Sequence, residues 1–346
     1  MSCGIGETLF RFLGVVIMDL SIFNGKTLFV TGATGLIGQT LIKRVIEFNR
    51  NNCGRIKVIA SVRNMEKAYG IFGEDNPEEE LSYVVSDICS IPLEDMGIDY
   101  IVHTASNTSS KAFVERPMEI IETAVGGTKR VLELAKINGI RAMAYLSTME
   151  VYGTPSTEKI DESHSTNLDT MSVRSCYPES KRMCESICAS YQKEYGVPTV
   201  VLRLTQTFGP GVQYDDGRVF AEFARCAIEG RDIVLKTKGE TKREYLHVDD
   251  AVNAIFTSLI KGCPGEAYNV ANEETYCSIR EMAELVADKC AEGRISVRIQ
   301  EEDSSKYGYA PTLHMNLDTS KFRDLGWIPE HNLEETFKDM IADMNK

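Results

Sequence analysis

No run of lysine and arginine interrupts this acidic sequence. Over 346 residues, 38 Lys and Arg face 51 Asp and Glu, a formal net charge of −13. Neutralising nucleic-acid phosphates takes clustered cations. Nucleic acid and anionic membrane surfaces are therefore poor partners, whereas an anionic small molecule needs only a few local arginines. Long hydrophobic runs are missing too. The apolar N-terminal stretch 12-FLGVVIM-18 is followed at once by Asp19 and is too short to span a bilayer. No small-residue cleavage site stands out after it; Met18 offers an alternative start, which makes residues 1–17 an appendage. The ten cysteines form no CxxC pair and the five histidines do not fall at zinc spacing. The expectation is a reduced, cytoplasmic protein without a metal. No internal repeat or low-complexity segment is evident.

What is present is an apolar fraction of 43%, enough for a sizeable core, in a length that suits one large and one small domain. Strand-like runs at 27–32, 56–61, 99–106, 142–148 and 199–209 alternate with helical spacing at 35–48, 119–139 and 179–196. Alternation of this kind predicts an α/β fold, a doubly wound parallel sheet of Rossmann type covered on both faces. From about Pro210 the rhythm loosens, with helical segments at 218–230, 279–290 and 333–344. The expected organisation is an N-terminal extension (1–24), a Rossmann domain (25–205) with a later contribution around 243–262, and a mainly substrate-binding α/β domain (206–346).

The stretch 29-FVTGATGLIGQTLIKRVIEF-48 places Gly32, Gly35 and Gly38 between a strand and a helix. Such a loop lets the backbone approach a pyrophosphate, and the helix start supplies unpaired N–H groups and a positive dipole end. Thr34, Leu36 and Ile37 lie in the same loop and join the expected cofactor contacts, as do Thr104, Ala105 and Ser106 at the end of 99-DYIVHTAS-106. Asp87 and Ile88 follow 83-YVVS-86 where a loop can touch an adenine. An acid is expected about 20 residues beyond the glycines, to bind a ribose 2′-hydroxyl. The second strand ends instead in Ser61-Val62-Arg63. Arginine pairs with a 2′-phosphate that a carboxylate repels, so the loop leans to NADP over NAD. A solvated surface role for Arg63 is the alternative.

In 177-YPESK-181, Tyr177 and Lys181 stand four apart at a helix start and project on one face. A nearby ammonium is expected to lower the phenol pKa and make Tyr177 a general base. Thr148, at a strand end, offers a hydroxyl to share the substrate proton. Such a set beside a nicotinamide carries out hydride transfer at an alcohol or ketone.

With these motifs, together with 147-STMEVYG-153, 208-FGPG-211, 243-REYLHVDD-250 and 326-GWIP-329, the chain resembles the extended short-chain dehydrogenases/reductases, the nucleotide-sugar epimerase/dehydratase group. The resemblance runs from about Lys26 to Leu333. Its closest pattern, seen in 174-RSCYPESKR-182 and 216-DGRVFAEF-223, is that of the UDP-glucuronate decarboxylases. The resemblance implies a nucleotide-diphosphate sugar as substrate and a homodimer through helices near 119–138 and 179–195. It implies that Tyr177 is the base, that Lys181 orients it and the nicotinamide ribose, and that Thr148 bonds the reacting hydroxyl. Glu150 matches an acid used near the ring carbons beyond the ketone, or serves local backbone. Arg243 matches an arginine that clamps the diphosphate. Arg218 is a second candidate, with a salt bridge as its alternative role.

The departures matter as much. The expected acid at the second strand tip is Arg63, an expected Asn is Ala124, and the Asn expected to hold substrate is Gln206. The Asp of the dehydratase TDE triplet is replaced by Met149, which weakens dehydration and leaves decarboxylation or epimerisation. Two enzymatic readings follow. One is a redox-neutral cycle that oxidises the sugar, rearranges it and returns the hydride. The other is an NADPH-dependent ketoreductase acting on an activated keto sugar or ketose. A non-catalytic cofactor-binding protein is the third reading.

Overall fold

The computed structural model describes residues 19–301 and 313–346, preceded by a short antiparallel pairing of Arg11–Phe12 with Val15–Val16. Most of the segment 303–316 lies outside the described residues.

Seven parallel strands form the main sheet: β1 (Thr27–Thr31), β2 (Lys57–Val62), β3 (Leu81–Val85), β4 (Tyr100–His103), β5 (Ala142–Thr148), β6 (Thr199–Leu204) and β7 (Ala267–Val270). Their spatial order is 7-6-5-4-1-2-3. Most strand positions are buried, and every residue of β5 is, as expected when helices cover both faces of a parallel sheet. The order reverses at β1, which pairs with β2 on one side and β4 on the other. In a doubly wound sheet that reversal opens a crevice at the carboxyl ends of the strands. The Gly32–Gly38 loop and Thr104–Ser106 stand at those two carboxyl ends.

Helices α1 (Leu36–Asn52), α2 (Pro117–Asn138), α3 (Cys176–Tyr195) and α4 (Val248–Lys261) cover the sheet. The first three end at residues with left-handed backbone, Cys53, Gly139 and Gly196. Two of these are glycines, which take that conformation without a Cβ penalty. Helix α4 buries Ala251, Val252, Ile255, Phe256 and Leu259 in the core of the main sheet, whereas the residues just before it, 242–247, form a strand of a different sheet. Leu20 and Phe23, counted with the N-terminal extension on sequence grounds, are buried in the same core. Phe23 meets Tyr100 edge to face at 5.0 Å.

A second, smaller layer follows. Strand Lys242–His247 pairs in parallel with Gln206–Phe208 and His314–Met315 and antiparallel with Asn272–Ser278. Helices Val219–Glu229 and Leu333–Met344 close over its core of Phe208, Phe220, Tyr245, Met282 and Phe337. Among the described residues no helix is long and apolar enough to cross a membrane.

Glu244 sits fully buried in this layer. Its Oε1 accepts the Leu317 N–H at 2.7 Å, its Oε2 has no partner, and burial pushes its carboxyl up to about 8. The folded protein thus keeps a proton that the unfolded chain releases near pH ~4.3. The stability this group contributes is complete below that pH and is lost as pH rises through about 8. Melting curves of Glu244→Gln are expected to gain on the wild type between pH ~5 and ~8 and run parallel above. A pH-independent difference would contradict a neutral buried carboxyl.

Candidate active site

The glycine loop is shaped by close approach. Gly32 adopts φ +64°, and a Cβ there would lie 2.5 Å from Thr104 Oγ1. A Cβ on Gly38 would lie 2.4 Å from the Gly32 carbonyl oxygen and 3.0 Å from Ala33 Cα. Helix α1 begins at Leu36 with Gly35 as N-cap and no side-chain cap. The first N–H groups, those of Leu36, Ile37 and Gly38, are therefore left for an anion.

Below the loop lies a network absent from the sequence reading. His103 Nδ1 meets Thr31 Oγ1 at 2.7 Å and its Nε2 meets Thr128 Oγ1 at 3.2 Å. Burial drives the imidazole down to about 3, so it is neutral. Thr31 Oγ1 also accepts the Ala105 N–H at 3.2 Å, and Thr104 Oγ1 donates to the Thr31 carbonyl at 2.7 Å. These bonds fix Thr104 and Ala105 against Gly32. Ser106 is half-buried beside them. Arg63 is exposed at the tip of β2 and forms no side-chain hydrogen bond or ion pair among the described residues. Asp87 caps a short turn by accepting the Cys89 N–H at 2.9 Å, and Ile88 is buried. Each stands at a neighbouring strand end, where the sequence placed it.

Tyr177 and Lys181 lie in the first turns of α3, both buried. Tyr177 stacks on Phe113, with ring centroids 4.5 Å apart and planes at 12°. Lys181 Nζ donates to the Leu146 carbonyl of β5 at 2.7 Å and sits 6.0 Å from the centre of the Tyr177 ring. This corrects the expected electrostatics. Burial raises the Tyr177 phenol well above its ordinary value and Glu150 adds to the rise. The opposing effects are a hydrogen bond with Thr148 and then the charges of Arg174 and Arg218. Lys181 is directed to Leu146, and burial lowers its own pKa to about 8. Two of its three donors remain for a ribose.

Thr148 ends β5 and its hydroxyl oxygen accepts the Glu150 N–H at 3.2 Å. Glu150 is half-buried and its Oε2 accepts Arg174 Nη1 at 2.9 Å. Sequence reasoning quoted Arg174 within a motif and gave it no role, although its place three residues before Tyr177 was a usable signal. Arg218 grips Asp216 through Nε and Nη2, at 2.6 Å for the shortest contact, and its charge reaches Tyr177. The salt bridge is the polar contact that the side chain of Arg218 forms among the described residues.

Gln206 and Arg243 lie on paired strands of the second layer. Thr205, next to Gln206, donates to the Glu244 carbonyl at 2.6 Å, and its Oγ1 lies 3.4 Å from Met149 Sδ, which brings this layer against the Thr148–Glu150 turn. Arg243 Nε is buried without a hydrogen-bond partner. A buried unmet donor on a cation costs more than about 1–3 kcal/mol, and a phosphate oxygen answers that need.

The fold also gathers His247, Asp249 and His331, with candidate ligand atoms within 4.8 Å of one another. Histidine spacing along the chain could not show this. The two imidazoles stack at 3.9 Å with planes 16° apart, so their in-plane lone pairs run side by side. His247 Nδ1 accepts the Asp249 N–H and His331 Nδ1 faces Asp250. The cluster joins the C-terminal segment to the start of α4.

Comparison with known proteins settles the lineage. The model of the NAD dependent epimerase/dehydratase family matches residues 28–271. The chain belongs to that family. It is 29% identical over 321 residues to UDP-glucuronic acid decarboxylase 3 of Arabidopsis thaliana, covering 91% of this chain and 87% of that protein. UDP-glucuronic acid decarboxylase 1 of Xenopus tropicalis is also 29% identical, with 91% and 71% covered. Among solved structures, a UDP-N-acetylglucosamine 4-epimerase from Methanobrevibacter ruminantium superposes with a TM-score of 0.77 at 23% identity, covering 92% of this chain and 98% of that one. A dTDP-glucose 4,6-dehydratase from Streptomyces venezuelae with NAD bound gives 0.75 at 22%, covering 92% and 97%. The family resemblance, the Rossmann fold and the reading of an enzyme of the nucleotide-sugar group are borne out at that level.

Proposed function

We infer that this protein is a redox-neutral nucleotide-sugar enzyme that binds a UDP-uronate and removes its carboxyl group, with Tyr177 as general base. The observation that carries the reading is the convergence of Tyr177, Thr148, Glu150 and Arg174 beside a glycine cradle that fits a dinucleotide. Gly32, Gly35 and Gly38 with the free N–H groups of α1 would hold the pyrophosphate. Thr104–Ser106, Asp87 and Ile88 would line the rest, and Lys181 would hold the ribose. A nicotinamide held there would supply a reversible hydride acceptor for C4 of the sugar. Tyr177 takes the proton of the C4 hydroxyl while Thr148 shares the bond. The ketone so formed is β to the C5 carboxylate, so the C–C bond to CO2 breaks and its electron pair enters an enolate. A solvent-derived proton at C5 then turns the enolate back into the C4 ketone, and as the hydride returns to C4 Tyr177 gives its proton back at O4. Glu150 is proposed to serve the C5 side. Arg243, Gln206 and Arg218 are proposed to bind the diphosphate and sugar.

Mass spectrometry of UDP-glucuronic acid incubated with the protein tests this. A UDP-pentose is expected, and a UDP-hexuronate epimer or an unchanged substrate would overturn the decarboxylation.

Arg63 favours a second reading, an NADPH-dependent ketoreductase of an activated keto sugar. Arg63→Ala is expected to weaken NADPH at least tenfold, about 1.4 kcal/mol, and leave NADH within twofold, in nicotinamide fluorescence titrations. Equal losses for both would remove Arg63 as a 2′-phosphate ligand. A homodimer and a cytoplasmic location complete the proposal. Met118 on α2 and Met183 on α3 are 60% and 53% exposed, in keeping with pairing of those helices across two copies.

A further inference from the structure

The ion pair at the mouth of the site carries an inference about specificity, one that rests on the proposed acidic-sugar reading. Arg174 comes from the short turn Val173–Ser175 just before α3. That turn is held by Ser175 Oγ, which donates to the Asp169 carbonyl at 2.6 Å. The guanidinium reaches Glu150 with Nη1 alone. Its carbon lies 5.9 Å from the centre of the Phe113 ring, the ring on which Tyr177 stacks. The side chains of Arg174 and Glu150 are 33% and 28% exposed, so the pair is partly open to solvent rather than sealed in the core.

The remaining cations near Tyr177 are committed elsewhere. Arg218 is engaged by both oxygens of Asp216, and Lys181 is buried against the Leu146 carbonyl. Arg174 uses one of its five N–H donors. A substrate carboxylate entering beside Glu150 would meet a like charge, which costs binding unless a cation faces both. Arg174 is the cation so placed, and its free N–H groups suit a carboxylate. We propose that Arg174 is the specificity-determining residue that recognises the sugar carboxylate, shared with or released from Glu150 when an acidic sugar binds.

The test is a calorimetric titration of the cofactor-loaded protein with UDP-glucuronic acid and with UDP-glucose, for the wild type, Arg174→Gln and Arg174→Lys. The wild type is expected to prefer the uronate by at least tenfold. Arg174→Gln is expected to lose that preference while its affinity for UDP-glucose stays within twofold, which also shows that the site is folded. Arg174→Lys is expected to keep part of the preference. An undiminished preference in Arg174→Gln would overturn the role of Arg174 and leave the acidic-sugar reading standing. Absence of any preference in the wild type would overturn the acidic-sugar reading itself, and the assignment of Arg174 with it.

Discussion

Tyr177→Phe is expected to lower kcat by about 10²–10⁴, the usual weight of a positioned acid–base group, with nucleotide-sugar affinity within about threefold of wild type. The argument is geometric. The phenol is buried, stacked on Phe113 and hydrogen-bonded with Thr148, so it is fixed where a sugar hydroxyl would meet it. Phenylalanine keeps the stack and the volume and removes only the oxygen. Burial and Glu150 hold the phenol above its usual pKa, and Thr148, Arg174 and Arg218 act against them; the proposed base would rely on that offset. Activity within tenfold of wild type would remove Tyr177 from the chemistry.

Gly38→Ala is expected to weaken cofactor binding by about a hundredfold or more, equivalent to about 2.7 kcal/mol. Its Cβ would stand 2.4 Å from the Gly32 carbonyl, against backbone that cannot yield without moving the loop. Gly35→Ala makes a milder comparison, because its Cβ would lie 3.2 Å from the same oxygen. Fluorescence titration with NADH and NADPH should rank Gly38→Ala well below Gly35→Ala. Equal binding by the two variants would mean that the pyrophosphate does not rest on this turn.

Much of the main sheet was legible because parallel strands are continuous apolar runs. The run 142–148 coincides with β5 and 333–344 with the last helix. What escaped was short or came from distant segments. Strand β7 is four residues, AYNV, and forms only because β6 offers it an edge. The stretch 199–209 proved to be two strands in different sheets, Thr199–Leu204 and Gln206–Phe208, with Thr205 at the switch. Residues 286–290 continue the expected helix as a π-helical turn. In the site, the motif residues were readable because local spacing sets them. The Arg174–Glu150 pair, the His103 network and the unmet Arg243 Nε are tertiary facts. So is the direction of the Tyr177 shift, which depends on burial that spacing does not encode.

In the proposed reaction one hydride leaves and returns to the same sugar. UDP-glucuronic acid deuterated at C4, turned over in the presence of excess unlabelled cofactor, tests it most directly. A decarboxylated product that retains deuterium at C4 is expected, with no net change in nicotinamide absorbance. Loss of the label to free cofactor would contradict it as a net oxidation of the sugar, and stoichiometric oxidation of NADPH with a keto sugar would contradict it by establishing the net reductase instead.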